Sequence, residues 1–116
     1  METARSVGIH IPTLCHHEEL EPYGACRICV VEVDAGGRKG LVAACVRPID
    51  QNMFVTTRNE QSDNISKILV EQFLAHAPDS EVLLGLAEEY GADKDRFEKQ
   101  STFCILCGLC VRYCVE

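Results

Sequence analysis

The sequence predicts a small α+β protein that holds two separate cysteine sites. Residues 1–60 contain short β-branched segments typical of strands, and residues 61–100 carry apolar residues at helical spacing. The eight cysteines form two groups of four, separated by 58 residues that contain none. With 116 residues, no Trp, three Tyr and four Phe, the chain has few large apolar groups for a core. A thin core of this kind often needs additional stabilisation by disulfides, by a metal or by a partner.

Composition excludes several classes of protein. The net charge is -7, which argues against nucleic-acid binding, since nucleic acid requires a basic face. No apolar run reaches the roughly 18 residues that a membrane span needs. The opening residues METARSVG lack the apolar centre of a signal peptide, so we expect a cytoplasmic protein with reduced cysteines.

The first half of the chain reads as a short helix followed by three strands. Residues 2–8 predict a helix ended by Gly8, and Pro12 keeps the next segment extended. Residues 28–34 and 40–46 are β-branched and are joined by AGGRK, which predicts a hairpin. MFVTT at 53–57 predicts a third strand.

The second half reads as two helices. From about Asp63, an apolar stripe at spacings of three and four predicts a helix closed by Pro78. Asp79 or Ser80 can cap the next helix, which ends at Gly91. A charged stretch, ADKDRFEKQ, then leads to the second cysteine group.

The first cysteine group has the spacing C-x10-C-x2-C-x15-C and consists of Cys15, Cys26, Cys29 and Cys45. Four thiolates suit either a tetrahedral zinc or an iron–sulfur cluster. Zinc ribbons usually carry two C-x2-C pairs, whereas one close pair with loop and distant ligands is the plan of a plant-type [2Fe–2S] site. A zinc site and a set of buried structural thiols remain the alternatives.

Two segments around this group resemble a known family. IPTLCHHEELEPYGACRICVVEV, followed by LVAACVRP, resembles the N-terminal [2Fe–2S] domain shared by three relatives: the large iron–sulfur subunit of respiratory complex I, the diaphorase iron–sulfur subunit of NAD-reducing hydrogenases, and iron-only hydrogenases. The resemblance implies a β-grasp ferredoxin-like fold over residues 1–60, with the four cysteines as ligands. The hairpin that opens this fold in the family is missing here. We therefore expect a natural start further upstream, a trimmed chain, or a partner that covers the strand edge.

The second cysteine group has the spacing C-x2-C-x2-C-x3-C, the bacterial ferredoxin pattern for a [4Fe–4S] cluster. Cys104, Cys107 and Cys110 are expected to surround one cluster, with Gly108 allowing a close approach of the backbone. We expect Cys114 to begin a helix and to bind a second cluster if the chain is longer in nature, or else to complete the only one. A metal-free helix and a redox disulfide between Cys104 and Cys107 are the alternatives. Residues 101–116 would then start a [4Fe–4S] module, with 61–100 as a helical linker segment.

Three histidines and two arginines are secondary candidates. His76 lies near the position of a cluster-binding histidine in the complex I relatives, but residues 46–103 contain no cysteine, so we interpret it as a helix-end residue. His16 and His17 are expected to pack near the first cluster, with a hydrogen bond to a sulfide. Arg27 and Arg112 either offset cluster charge or are ordinary surface arginines.

These features together predict an electron carrier. The sequence shows no nucleophile–base pair and no phosphate-binding glycine loop, so we expect no catalysis by this chain alone. The resemblance implies an iron–sulfur subunit that relays single electrons between an NAD(P)H-linked flavoprotein and a second redox subunit, such as a hydrogenase or formate dehydrogenase. The opposing hypothesis is a structural or interaction module that holds zinc in both cysteine groups.

Overall fold

The computed structural model describes residues 1–100 and 102–114, and it is a small α+β structure. Its elements in chain order are α1 (Glu2–Ser6), β1 (Val30–Ala35), β2 (Arg38–Ala43), β3 (Met53–Thr56), α2 (Glu60–His76), α3 (Glu81–Tyr90) and α4 (Leu109–Tyr113). The predicted α+β class is confirmed, and the predicted first helix, hairpin and third strand lie where expected. None of the described helices is long and apolar enough to cross a membrane.

The three strands form an antiparallel sheet in the order β2-β1-β3. The β1–β2 pairing runs from Val30 opposite Ala43 to Ala35 opposite Arg38. The two-residue connection has positive φ at Gly36 (63°) and Gly37 (83°), which suits the hairpin turns that glycine favours. The local turn signal therefore sets the register that positions the cysteines on either side of the hairpin.

Both longer helices begin and end at capping residues. In α2, the Asn59 side chain accepts from the Ser62 backbone N–H at 2.8 Å and the Ser62 hydroxyl accepts from the Asn59 N–H at 3.0 Å. This capping box starts α2 at residue 60, three residues before the predicted start. Ser80 caps α3, and Gly91 ends it in the left-handed conformation, as predicted.

The helices pack on the loop that carries the first cysteines. One buried cluster joins Leu14, Cys15, Cys26 and Ile28 to Val70, Leu74 and Ala77 of the α2 region and to Leu83, Leu86 and Ala87 of α3. A second cluster joins Ile11, Cys29 and Cys45 to the sheet residues Val31, Val33 and Ala43. The helical segment thus shares a core with the first half of the chain, and the domain boundary at residue 60 stays a prediction.

The charged stretch after α3 is attached to α2. The buried Glu71 carboxylate accepts from the Asp93 backbone N–H and from Arg96, both at 3.0 Å. The Gln100 N–H donates to the Ala75 carbonyl at 2.7 Å. These contacts place the start of the second cysteine group beside the C-terminal end of α2.

Candidate metal centre

The hairpin brings Cys29 and Cys45 together. Cys29 directly precedes β1 and Cys45 lies two residues after β2, so the pairing of Val30 with Ala43 places the two cysteines side by side. The Ala44 N–H donates to the Cys29 carbonyl at 3.1 Å, and the Cys45 N–H points at the Cys29 Sγ at 3.5 Å. The fifteen-residue spacing is therefore the length of one hairpin.

An irregular loop brings Cys15 and Cys26 together in the same way. The Cys26 N–H points at the Cys15 Sγ at 3.4 Å, and the Thr13 hydroxyl lies 3.9 Å from the Cys26 Sγ. The backbone has positive φ at Gly24 (67°) and at Arg27 (62°), on either side of Cys26. These two conformations coil the chain tightly around the sulfur.

The four thiols lie at the junction of the two buried clusters. Cys15 and Cys26 belong to the cluster that contains the helices, and Cys29 and Cys45 belong to the one that contains the sheet. Each of the four residues is at most 7% exposed. A group placed between them would be shielded from water and held by both halves of the core.

The electrostatics of these thiols depend on burial and on nearby backbone amides. Burial raises the pKa of Cys15, and burial together with the charges of Cys29 and Cys26 raises the pKa of Cys45 to about 11. Burial also acts to raise the pKa of Cys26, but amides led by Ile28 and Leu14 outweigh it, so the pKa of Cys26 is lowered. A positively charged metal centre is the natural partner for thiolates in so dry a site.

The donor set fits an iron–sulfur cluster. Its four sulfurs lie in two pairs, Cys15 with Cys26 and Cys29 with Cys45, and in each pair a ligand amide points at the other ligand's sulfur. Two pairs of sulfurs suit a centre with two metal atoms, and amide donors to sulfur are typical of iron–sulfur sites.

Gly24 lies where the loop passes closest to the end of the hairpin. A Cβ at this position would lie 3.0 Å from Cγ1 of Val46, the residue after Cys45. Glycine is therefore required twice, for its positive φ and for this close contact.

The second cysteine group is far more exposed than the first. Cys104, Cys110 and Cys114 are exposed and Cys107 is half-buried. The loop has positive φ at Leu106 (60°) and Gly108 (72°), and the Leu106 N–H points at the Cys104 Sγ at 3.4 Å. The backbone again coils around a sulfur and directs an amide at it, as it does at Cys26.

One expectation for this group is wrong. Cys114 does not begin a helix, because α4 starts directly after Gly108 and carries Cys110 within it. The Cys114 N–H donates to the Cys110 carbonyl at 3.2 Å, so Cys114 ends the helix. The left-handed conformation of Gly108 permits this early start. Cys110 and Cys114 thus lie one helical turn apart.

The secondary candidates occupy varied positions. The buried His16 side chain donates from Nε2 to Glu2 at 2.7 Å, and its Nδ1 has no hydrogen-bond partner in the part of the chain that the structure describes. His76 lies at the C-terminal end of α2, where Nδ1 is 3.2 Å from Oε1 of Gln100. Arg27 is exposed. The structure thus shows His76 at a helix end, as interpreted from the sequence.

Contacts between α4 and the loop after Cys15 were not predicted. Arg112 donates to the Cys15 carbonyl at 2.6 Å and to the Glu21 carbonyl at 2.8 Å. The Tyr113 hydroxyl lies 2.7 Å from Nδ1 of His17 and 2.9 Å from the Glu19 carboxylate. These residues are more than 90 positions apart in sequence, and no local pattern indicates their proximity.

Comparison with known proteins supports the assignment of the first site. The family model described as "2Fe-2S iron-sulfur cluster binding domain" matches residues 1–60, which include all four cysteines of the first group. The chain belongs to this family. It is therefore a member of an iron–sulfur family, and the predicted family resemblance is confirmed.

Similar proteins match the chain over nearly its whole length. It is 33% identical to the NADPH-Fe(3+) oxidoreductase subunit alpha of Geobacter sulfurreducens, over 97% of this chain and 16% of that protein. It is 30% identical to the NADH-ubiquinone oxidoreductase 75 kDa subunit of Reclinomonas americana, over 100% of this chain and 20% of that protein. A crystal structure of an NAD+-reducing [NiFe]-hydrogenase in the H2-reduced state matches with a TM-score of 0.77 and 32% identity, over 96% of this chain and 56% of that one. The chain thus spans a fifth or less of the first two proteins and just over half of the hydrogenase chain.

Proposed function

We propose that this chain is an iron–sulfur electron-transfer unit of a multi-subunit oxidoreductase. The observation that carries the proposal is the buried set of four cysteines arranged as two pairs. In this assignment, Cys15 and Cys26 bind one iron of a [2Fe–2S] cluster, and Cys29 and Cys45 bind the other. Such a centre takes up one electron, and the amides directed at the sulfurs stabilise the reduced, more negative form.

The second cysteine group extends the proposed relay. Cys104, Cys107, Cys110 and Cys114 are proposed to bind a [4Fe–4S] cluster, supported by their spacing and by the coiled loop around Cys104. Their exposure suits a site that exchanges electrons with a neighbouring subunit or domain. Whether Cys114 binds this cluster or another one depends on how many clusters the natural protein carries.

The proposed partners are a nicotinamide-linked flavoprotein and a second redox subunit. The names of three similar proteins each include a nicotinamide nucleotide: NADPH, NADH and NAD+. Nicotinamide nucleotides transfer two electrons as hydride, whereas an iron–sulfur cluster accepts one, so a flavin is needed between them. We propose a cytoplasmic complex, in keeping with eight cysteines of which none forms a disulfide within the described residues.

Metal analysis with matched cysteine variants tests the cluster assignment. Anaerobically purified protein is expected to contain about six iron atoms with acid-labile sulfide, and two EPR signals after reduction. Cys29→Ser should remove the [2Fe–2S] signal and keep the other, and Cys107→Ser should do the reverse. Colourless protein with about two zinc ions and no sulfide would establish the zinc-module alternative instead.

The native complex tests the proposed partner. NADH or NADPH is expected to bleach the visible absorbance of the clusters while flavin is bound. No bleaching is expected after flavin is removed, and bleaching should return when flavin is restored. Equal bleaching without flavin, or none with either nucleotide, would contradict the proposed flavoprotein link.

A further inference from the structure

Arg112 connects the two cysteine groups directly. It lies in α4, two residues from both Cys110 and Cys114. Its Nη1 donates to the carbonyl of Cys15, a residue of the first group, at 2.6 Å. No other polar side chain of α4 reaches a residue of the first group within the described contacts. One side chain therefore spans from the second cysteine group to the backbone of the first.

The geometry uses the whole guanidinium group. Besides the bond to Cys15, Nη2 donates to the Glu21 carbonyl at 2.8 Å, and the guanidinium lies 4.7 Å from the centre of the Tyr23 ring. The two N–H donors of the planar guanidinium thus bind two backbone carbonyls of the loop formed by residues 15–23. The face of the guanidinium stacks on the Tyr23 ring of the same loop. An ammonium group cannot reproduce this fork, because it is a single point charge with no planar face.

We propose that Arg112 is a positioning residue that fixes the separation of the two clusters and orders the 15–23 loop. This inference rests on the proposed electron-transfer function. Electron tunnelling slows steeply with distance, so a relay needs a constant separation between its centres. Burial alone does not hold the second group, because three of its four cysteines are exposed. Arg112 and the Tyr113 hydroxyl together anchor α4 to the loop, and among the described contacts only Arg112 reaches a cysteine of the first group.

Three variants of the cluster-loaded protein test this role. Arg112→Gln removes the fork and the charge, Arg112→Lys keeps the charge alone, and Arg38→Gln alters an exposed arginine of β2 as the control. Iron and sulfide are measured first, and two readouts follow. Hydrogen exchange reports how well the backbone amides of residues 16–22 are protected. EPR of the fully reduced protein reports the magnetic interaction between the clusters.

Arg112→Gln is expected to speed hydrogen exchange in residues 16–22 by about tenfold or more, since two charge-assisted hydrogen bonds are lost. It should also weaken or broaden the magnetic interaction. In both the exchange rate and the magnetic interaction, Arg112→Lys should give values between those of Arg112→Gln and the wild type. Arg38→Gln should give the wild-type values. If Arg112→Gln loses the second cluster, Arg112→Lys provides the EPR comparison.

The outcomes separate this inference from the proposed function. If both clusters are present and Arg112→Gln leaves exchange and magnetic interaction unchanged, the positioning role is refuted and the electron-transfer function stands. If the wild type holds no iron in the second group, the proposed relay fails. Hydrogen exchange still decides in that case whether Arg112 anchors α4 to the loop.

Discussion

Replacing Gly24 by alanine should disturb the first metal centre specifically. Gly24 has a φ of 67°, which L-residues rarely adopt, and an added Cβ would lie 3.0 Å from Cγ1 of Val46. Val46 directly follows Cys45, so a shift of Val46 acts on the backbone of a cysteine in the site. Val is β-branched, so most rotations about χ1 only exchange one methyl group for the other.

Gly91→Ala provides the matched control for strain. Gly91 ends α3 with a φ of 66°, nearly the same as that of Gly24, and an added Cβ would meet nothing within 4 Å among the described residues. The left-handed conformation costs an L-residue about 1–2 kcal/mol, so this strain should destabilise both variants by about the same amount. Only Gly24→Ala adds the contact with Val46.

The assay is the lifetime of the visible cluster absorbance under anaerobic conditions at a fixed urea concentration. A rate suits this protein because unfolding with cluster loss is irreversible. A loss of 1–2 kcal/mol corresponds to about 5- to 30-fold faster decay if it appears fully in the unfolding rate. We expect the decay of Gly91→Ala to be accelerated by an amount within or below this range. The decay of Gly24→Ala should be accelerated by more, and its [2Fe–2S] cluster should give an altered EPR signal. Equal lifetimes and identical EPR signals in the two variants would refute the argument.

Two further predictions concern the helical half. Glu71→Gln should lower the free energy of unfolding by about 1–3 kcal/mol, because the amide replaces one of two buried acceptor oxygens by a donor. The lifetime of the cluster absorbance in urea measures this effect against the exposed Glu88→Gln, and equal lifetimes would contradict it. Burial raises the pKa of Tyr90 above 10 and outweighs the opposing charge of Arg58, so the unfolded chain releases this proton first. Stability should therefore fall as the pH rises from about 10 through the higher folded pKa. Tyr90→Phe should flatten this decline, and an unchanged slope would show that Tyr90 does not contribute.

Elements set by local signals could be predicted from the sequence. The glycine pair at 36–37 marks the hairpin turn, and Ser80 and Gly91 mark the ends of α3. The start of α2 was placed too late because Ser62, rather than Glu or Gln, completes the capping box at Asn59. Local chemistry thus predicted the elements well and missed a boundary where the motif departs from its usual residues.

Contacts between distant segments could not be predicted. Nothing in the residues around Arg112 indicates that its side chain binds the Cys15 carbonyl, since 97 positions separate them. The same holds for the core shared by Cys26 and Leu74, which joins α2, in the segment predicted to be a linker, to the first half of the chain. Cysteine spacing identified the donor atoms, but which of them form pairs depends on the hairpin register and on the loop around Cys26.

Different contacts hold the two cysteine groups in place, and the stability of one group therefore depends on the other. The first group is fixed mainly by the sheet on one side and by α2 and α3 on the other, and α4 contacts it through the bond from Arg112 to the Cys15 carbonyl. The second group is exposed, and its short helix is anchored to the 15–23 loop through Arg112 and Tyr113. That loop begins at Cys15. Loss of the first centre should therefore loosen the second without removing it, while loss of the second should leave the first cluster bound. The exposed second site of the proposed relay therefore depends structurally on the buried first site.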